Sequence, residues 1–136
     1  ALLDPTIIYA KLLQEVFDSG VDIHYMTDIT GHGWRKIMRH NNEFTYRITT
    51  LPPVPPVLTF LVEQTGLDAK EAYATFNMGA GFAVFIPPED VEKTLEIAKQ
   101  QNIKAYNVGR VEKGAKQVIL EPIDVTYASK SLRVRE

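Results

Sequence analysis

Apolar positions in this chain change period several times, and each change marks an element. Ile8, Leu12, Leu13 and Val16 recur at helical spacing, with Asp4-Pro5 ahead of them and Gly20 behind. Aspartate caps a helix well, and proline suits its first position because the missing N–H would go unpaired there anyway. A helix opened by Asp4-Pro5 and stopped at Gly20 is therefore predicted. Val21, Ile23 and Tyr25 then alternate with Asp22, His24 and Met26, the period of a strand, which runs to Ile29. Thr30-Gly31-His32-Gly33 breaks it, and a short basic helical piece from Trp34 to His40 follows.

Phe44, Tyr46 and Ile48 alternate with Thr45, Arg47 and Thr49 in a second strand. Leu51-Pro52-Pro53-Val54-Pro55-Pro56 is a rigid connector into a helix from Val57 to Thr65, closed by Gly66. Asp68 and Glu71 stand at capping-box spacing and open a short helix to about Phe76. Asn77-Met78-Gly79-Ala80-Gly81 leads into the apolar run Phe82 to Ile86, predicted as a buried strand. Pro87-Pro88 begins a helix through Gln101, with Val91, Leu95 and Ala98 in phase. Ile103 to Glu112 and Gln117 to Glu121 read as strands joined by a turn at Lys113-Gly114. After Pro122 the period fades, leaving an edge strand or a mobile tail. Interleaved helices and strands with hairpin-like connections predict an α+β fold, a mixed β-sheet with packed helices.

Composition narrows the classes. The 136 residues fit a single domain, 1–136, and a hydrophobic share of 45% supplies a core without staples. No cysteine occurs, which excludes disulfides, cysteine-ligated zinc and thiol catalysis. A net charge of −2 gives no whole-domain footprint for nucleic acid. The run Phe82 to Ile86 is too short to span a bilayer, so no membrane partner is expected. Ala1-Leu2-Leu3-Asp4-Pro5 lacks the basic and apolar regions of a signal peptide, so a cytoplasmic location is expected. The chain starts without methionine, which suggests a processed, tagged or truncated product.

The turn Thr30-Gly31-His32-Gly33 is the strongest local candidate for chemistry. Glycines let backbone N–H groups turn inward, and unpaired amides at a helix start attract anions. Phosphate or carboxylate is the expected ligand, with Arg35, Lys36 and Arg39 adding positive potential. The competing reading is a tight turn before a solvated basic face. Asn77 to Gly81 is a second glycine break, more simply read as close packing. Asp22, His24 and Asp28 share one strand face, yet at strand rise Asp22 and Asp28 stand roughly 20 Å apart. They cannot make one metal site, and none is predicted. His32 suits acid–base work or a positive φ. No catalytic set emerges from spacing.

Four segments together carry a resemblance. Leu3-Asp4-Pro5-Thr6-Ile7-Ile8-Tyr9, the pair Val21-Asp22-Ile23-His24 and Ile29-Thr30-Gly31-His32-Gly33, Tyr73-Ala74-Thr75-Phe76-Asn77-Met78-Gly79-Ala80-Gly81, and Ala105 to Val111 follow one family's order and spacing. They resemble the C-terminal domain of the phosphoribosylformylglycinamidine cyclo-ligase, or aminoimidazole ribonucleotide synthetase, family. The resemblance runs from about Leu2 to Pro122.

It implies an ATP-dependent ligase of purine biosynthesis that closes formylglycinamidine ribonucleotide to aminoimidazole ribonucleotide. It implies that ATP and Mg²⁺ are bound mainly by an N-terminal domain absent from this chain, and that the full-length enzyme is a homodimer. By carry-over, Thr30, Gly31, His32, Gly33, Asn77 and Gly79 would face a phosphorylated ribonucleotide, and the isolated chain would not turn over. Gly31→Val would fill the turn. Departures are His32 for the second turn glycine, Asp28 for a histidine, and the proline-rich connector for an aromatic segment. The alternatives are a stand-alone phosphate-metabolite module, a domain of a selenophosphate synthetase or thiamine monophosphate kinase, and a structural domain without ligand.

Overall fold

The computed structural model describes residues 4–132. In chain order its strands are Tyr25–Asp28 (β1), Phe44–Ile48 (β2), Phe82–Phe85 (β3), Gly109–Lys113 (β4), Gln117–Leu120 (β5) and Val125–Ala128 (β6). Its α-helices are Ala10–Asp18 (α1), Pro56–Thr65 (α2), Ala69–Thr75 (α3) and Val91–Gln100 (α4). β1 and β3 pair antiparallel as a ribbon, Tyr25 opposite Phe85 and Asp28 opposite Phe82. The other four strands form one sheet in the order β4-β2-β5-β6. β2 and β5 run parallel and the remaining neighbours antiparallel, so the sheet is mixed. The fold is α+β.

Alternation decides which face of that sheet is covered. Tyr46, Ile48, Val118, Leu120, Val125 and Tyr127 are buried, while Thr126 and Ala128 are exposed. Trp34 and Met38 from a 3-10 helix and Tyr73 from α3 join the same core. The Trp34 and Tyr73 rings sit 5.8 Å apart and tilted, a favourable aromatic geometry. Burying each such side chain stabilises the fold by roughly 1.5–3 kcal/mol. Elsewhere on the sheet Arg47 lies directly opposite Arg110, a repulsive pairing. Glu112 relieves it, accepting from Arg47 Nε at 3.0 Å and from Arg110 Nε at 2.7 Å.

Several elements form where the pattern put them. The Asp68 box has both halves, Glu71 N–H donating to Asp68 Oδ1 and Asp68 N–H to Glu71 Oε2. Gly66 ends α2 in the left-handed region, φ 67°, and donates to Val62 O.

Others differ. α1 begins at Ala10, not Pro5, and its cap is Tyr9 without a side-chain bond. Thr6, Ile7 and Ile8 are β-branched and lose rotamers in a helix, and Ile8 at 80% exposure finds no apolar partner to offset that. The basic piece after the turn is a six-residue 3-10 helix, Gly33–Met38. β4 starts at Gly109, leaving 103–108 without strand pairing. The segment after Pro122 supplies β6, the edge strand of the sheet. β3 is only half-buried at every residue. A cavity of about 1130 Å³ lies against it, bounded also by the 52–56 connector, α4 and residues 102–108.

Candidate functional site

Both glycine turns sit at one end of the β1–β3 ribbon. The Ile29 N–H donates to Gly81 O at 2.9 Å, and the Trp34 indole Nε1–H donates to Asn77 O at 2.9 Å. Residues 30–33 and 77–81 are thereby held side by side, although more than forty residues separate them in the chain.

The first turn divides between packing and open donors. Gly33 has φ +53°, and a Cβ there would collide with the Tyr73 carbonyl and the Ala74 backbone. Its N–H donates to Thr30 O at 2.6 Å, so this amide is spent inside the turn. Gly31 has ordinary φ and nothing within 4 Å of a built Cβ. Gly31→Val would therefore leave the turn's packing intact and project its branches into open space. Among the described residues, no backbone or side-chain acceptor takes the amide protons of Gly31 or His32. His32 adopts φ −113°, so it is not there to tolerate a positive φ.

The cations after the turn are committed to the protein. Arg35 donates to the carbonyls of Ser131 and Ala74, each at 2.7 Å, and to His32 O at 3.3 Å. Lys36 is buried, and its Nζ donates to Asp28 Oδ2 at 2.7 Å and Thr30 Oγ1 at 2.8 Å. Thr30 Oγ1 in turn donates to the same Asp28 oxygen at 2.7 Å. The bonds from Lys36 and then Thr30 hold the Asp28 carboxyl below the usual carboxylate range. Arg35 and Lys36 are thus tied into specific bonds rather than forming a solvated basic face, and the Asp28 carboxylate is held ionised with Oδ2 paired to Lys36.

Arg39 Nη2 lies 3.3 Å from His32 Nδ1. A guanidinium only donates, so Nδ1 is the acceptor and the ring proton sits on Nε2. Burial first, then Arg39, Arg35 and Lys36, push the His32 pKa down, and the ring is a neutral donor at pH 7.

The second turn shows the same division. Gly79 has φ +97°, and a Cβ would come within 2.6 Å of Pro53 O, so packing against the connector demands glycine. Its N–H donates to Asn77 Oδ1 at 3.1 Å. That bond orients the Asn77 carboxamide, and among the described residues no acceptor takes its NH₂ protons. Gly79 also lines the large cavity, whereas Thr30, Gly31, His32, Gly33 and Asn77 do not.

Residues 1–121 match the family described as AIR synthase related protein, C-terminal domain. The chain belongs to that family. It is 39% identical over 111 residues, 82% of its length, to a phosphoribosylformylglycinamidine cyclo-ligase of Methanococcus maripaludis. Proteins of the same name from Methanothermobacter thermautotrophicus and Rippkaea orientalis are 35% and 32% identical, over 88% and 90% of the chain. The chain spans about a third of these relatives, between 32% and 37% of their length.

His24 faces outward in this AIR synthase-type domain, its Nε2 3.1 Å from Asp22 Oδ2 at the cavity wall. Among the described residues no group of three or more His, Cys, Asp or Glu could hold a metal ion, and none of the helices is long and apolar enough to cross a membrane. The partnership of Lys36 with Asp28 and Thr30 is what sequence reading missed. Its signal was available: a carboxylate ending a strand and a lysine three residues into the following helix flank one tight turn.

Proposed function

We propose that this chain is the substrate-side domain of an ATP-dependent cyclo-ligase that converts formylglycinamidine ribonucleotide to aminoimidazole ribonucleotide in purine biosynthesis. One observation carries the reading beyond family membership. N–H donors without an acceptor among the described residues gather on two adjoining glycine turns: the amides of Gly31 and His32, the His32 Nε2–H and the Asn77 carboxamide. Such donors are what a phosphoryl group requires, and rigid donors lose little freedom on binding it.

In this reading Gly31 and His32 hold the substrate phosphoryl, with Asn77 beside them. Thr30, Gly33 and Gly79 shape the turns that aim those groups. ATP and Mg²⁺ are bound mainly by the other domain, where ATP activates the formamide oxygen and the amidine nitrogen displaces phosphate to close the ring. The contribution of this chain is binding and orientation, which alone lower a barrier substantially when reacting groups are held in line. The chain by itself is expected to show no turnover, the assembled enzyme to be a homodimer, and its location to be the cytoplasm.

The test is reconstitution. The chain is combined with the N-terminal portion of the Methanococcus maripaludis relative, and ring closure is followed with formylglycinamidine ribonucleotide and ATP. Turnover that requires both substrates, and that Gly31→Val abolishes without unfolding the pair, is the expected result. A folded, associated pair with no ring closure contradicts the proposal.

A further inference from the structure

The corner formed by Asp28, Thr30 and Lys36 has the opposite hydrogen-bonding character to the amides beside it. Asp28 Oδ2 is occupied twice, by Lys36 Nζ at 2.7 Å and Thr30 Oγ1 at 2.7 Å. Asp28 Oδ1 has no protein donor among the described residues, and the side chain is 53% exposed. The Thr30 hydroxyl has its proton committed to Asp28 and one lone pair taken by Lys36, which leaves it a lone pair and nothing to donate. Lys36 itself is shut away, its side chain 9% exposed. What reaches the surface here is a carboxylate oxygen and a hydroxyl lone pair, both acceptors.

We propose that Asp28 and Thr30 form a recognition corner for an N–H-rich group, an amidinium or protonated amine, and that Lys36 is the residue that positions it. The inference rests on the functional reading above, in which the neighbouring amides of Gly31 and His32 take the phosphoryl. Lys36 fixes the polarity of the corner. Without it Thr30 Oγ1 is free to rotate its proton outward, and Asp28 can turn to accept from it differently. A buried lysine is a costly way to hold a surface carboxylate unless the orientation matters, because its ammonium gives up hydration for just these partners. The arrangement also accounts for a negative group standing beside a phosphoryl site. The acceptors of Asp28 and Thr30 and the amides of Gly31 and His32 lie within five consecutive residues.

Backbone amide signals of the ¹⁵N-labelled chain are titrated separately with acetamidinium, tetramethylammonium, Mg²⁺ and inorganic phosphate. Acetamidinium is expected to move the signals of Thr30 and its neighbours, and tetramethylammonium, which carries charge without N–H, to leave them in place. Asp28→Asn should weaken the acetamidinium response at least tenfold while the phosphate response of Gly31 and His32 persists. Lys36→Arg should retain the acetamidinium response and Lys36→Met should lose it with the rest of the spectrum unchanged. Should Lys36→Met unfold, Asp28→Asn at the exposed carboxylate still decides the matter. An acetamidinium response equal in wild type and Asp28→Asn overturns the proposal, as does a stronger response to Mg²⁺ than to acetamidinium. Loss of the phosphate response alone counts against the phosphoryl reading and not against this corner.

Discussion

Gly31 and Gly33 stand two apart in one turn, yet the fold uses them in opposite ways. Gly33 is pressed against the backbone of α3 at a positive φ, and its amide is consumed by Thr30. A Cβ at Gly31 would meet nothing within 4 Å, and its amide has no acceptor among the described residues. The second turn shows a related contrast between Gly79, wedged against Pro53, and Asn77, whose amide group stays available. Each turn therefore combines an anchor that glycine alone can fill with a donor that has no protein acceptor among the described residues. Glycines in one turn need not share a role: some are demanded by packing and others are not.

The anchors should dominate stability. Gly33→Ala forces a Cβ into the Tyr73 carbonyl at φ +53° and is expected to cost about 4 kcal/mol in urea unfolding. Gly31→Ala should change stability by less than about 0.5 kcal/mol, since nothing lies within reach. Equal costs at both positions would break the contrast. Gly79→Ala comes next, at about 2 kcal/mol, from strain at φ +97° and the nearby Pro53 oxygen.

Smaller effects come from protons. The His32 pKa is depressed by burial and by Arg39, Arg35 and Lys36, so the folded state resists protonation there. The neutral ring's contribution is full above the unfolded value of about 6.5 and is lost as pH falls through the lower folded pKa. Imidazole signals of His32 should titrate below the ordinary histidine value of about 6.5. The Asp28 pKa is also depressed, chiefly by Lys36 and Thr30. Its ionised bonds are complete above the unfolded value of about 3.9 and are lost as pH drops through the folded pKa. The Thr30 amide signal should report that loss, and Lys36→Met should raise its midpoint toward the ordinary value.

Legibility followed the range of the interaction that decides each feature. The α3 capping box, the Gly66 stop and the alternation of β2 depend on neighbours along the chain, and the pattern carries them plainly. The start of α1 failed because a good cap at Asp4-Pro5 cannot overcome three consecutive β-branched residues, of which Ile7 and Ile8 are 55% and 80% exposed. β3 looked like a core strand because it is apolar, but an apolar run does not say how many elements cover it. In the site, the glycine turns were visible as motifs. Which glycine packs and which stays open was not, since the answer lies with Tyr73 and Pro53, far along the sequence. The three cations after the turn were read as a field, and only their positions in space show that each has a partner.

The most direct measurement is a titration of the ¹⁵N-labelled chain with formylglycinamidine ribonucleotide, followed residue by residue. The amide signals of Gly31 and His32 should move together and saturate, while that of Gly33, already bonded to Thr30, moves least. Signals that stay fixed at residues 31 and 32 while those lining the β3 cavity shift would place the ligand elsewhere and contradict the account.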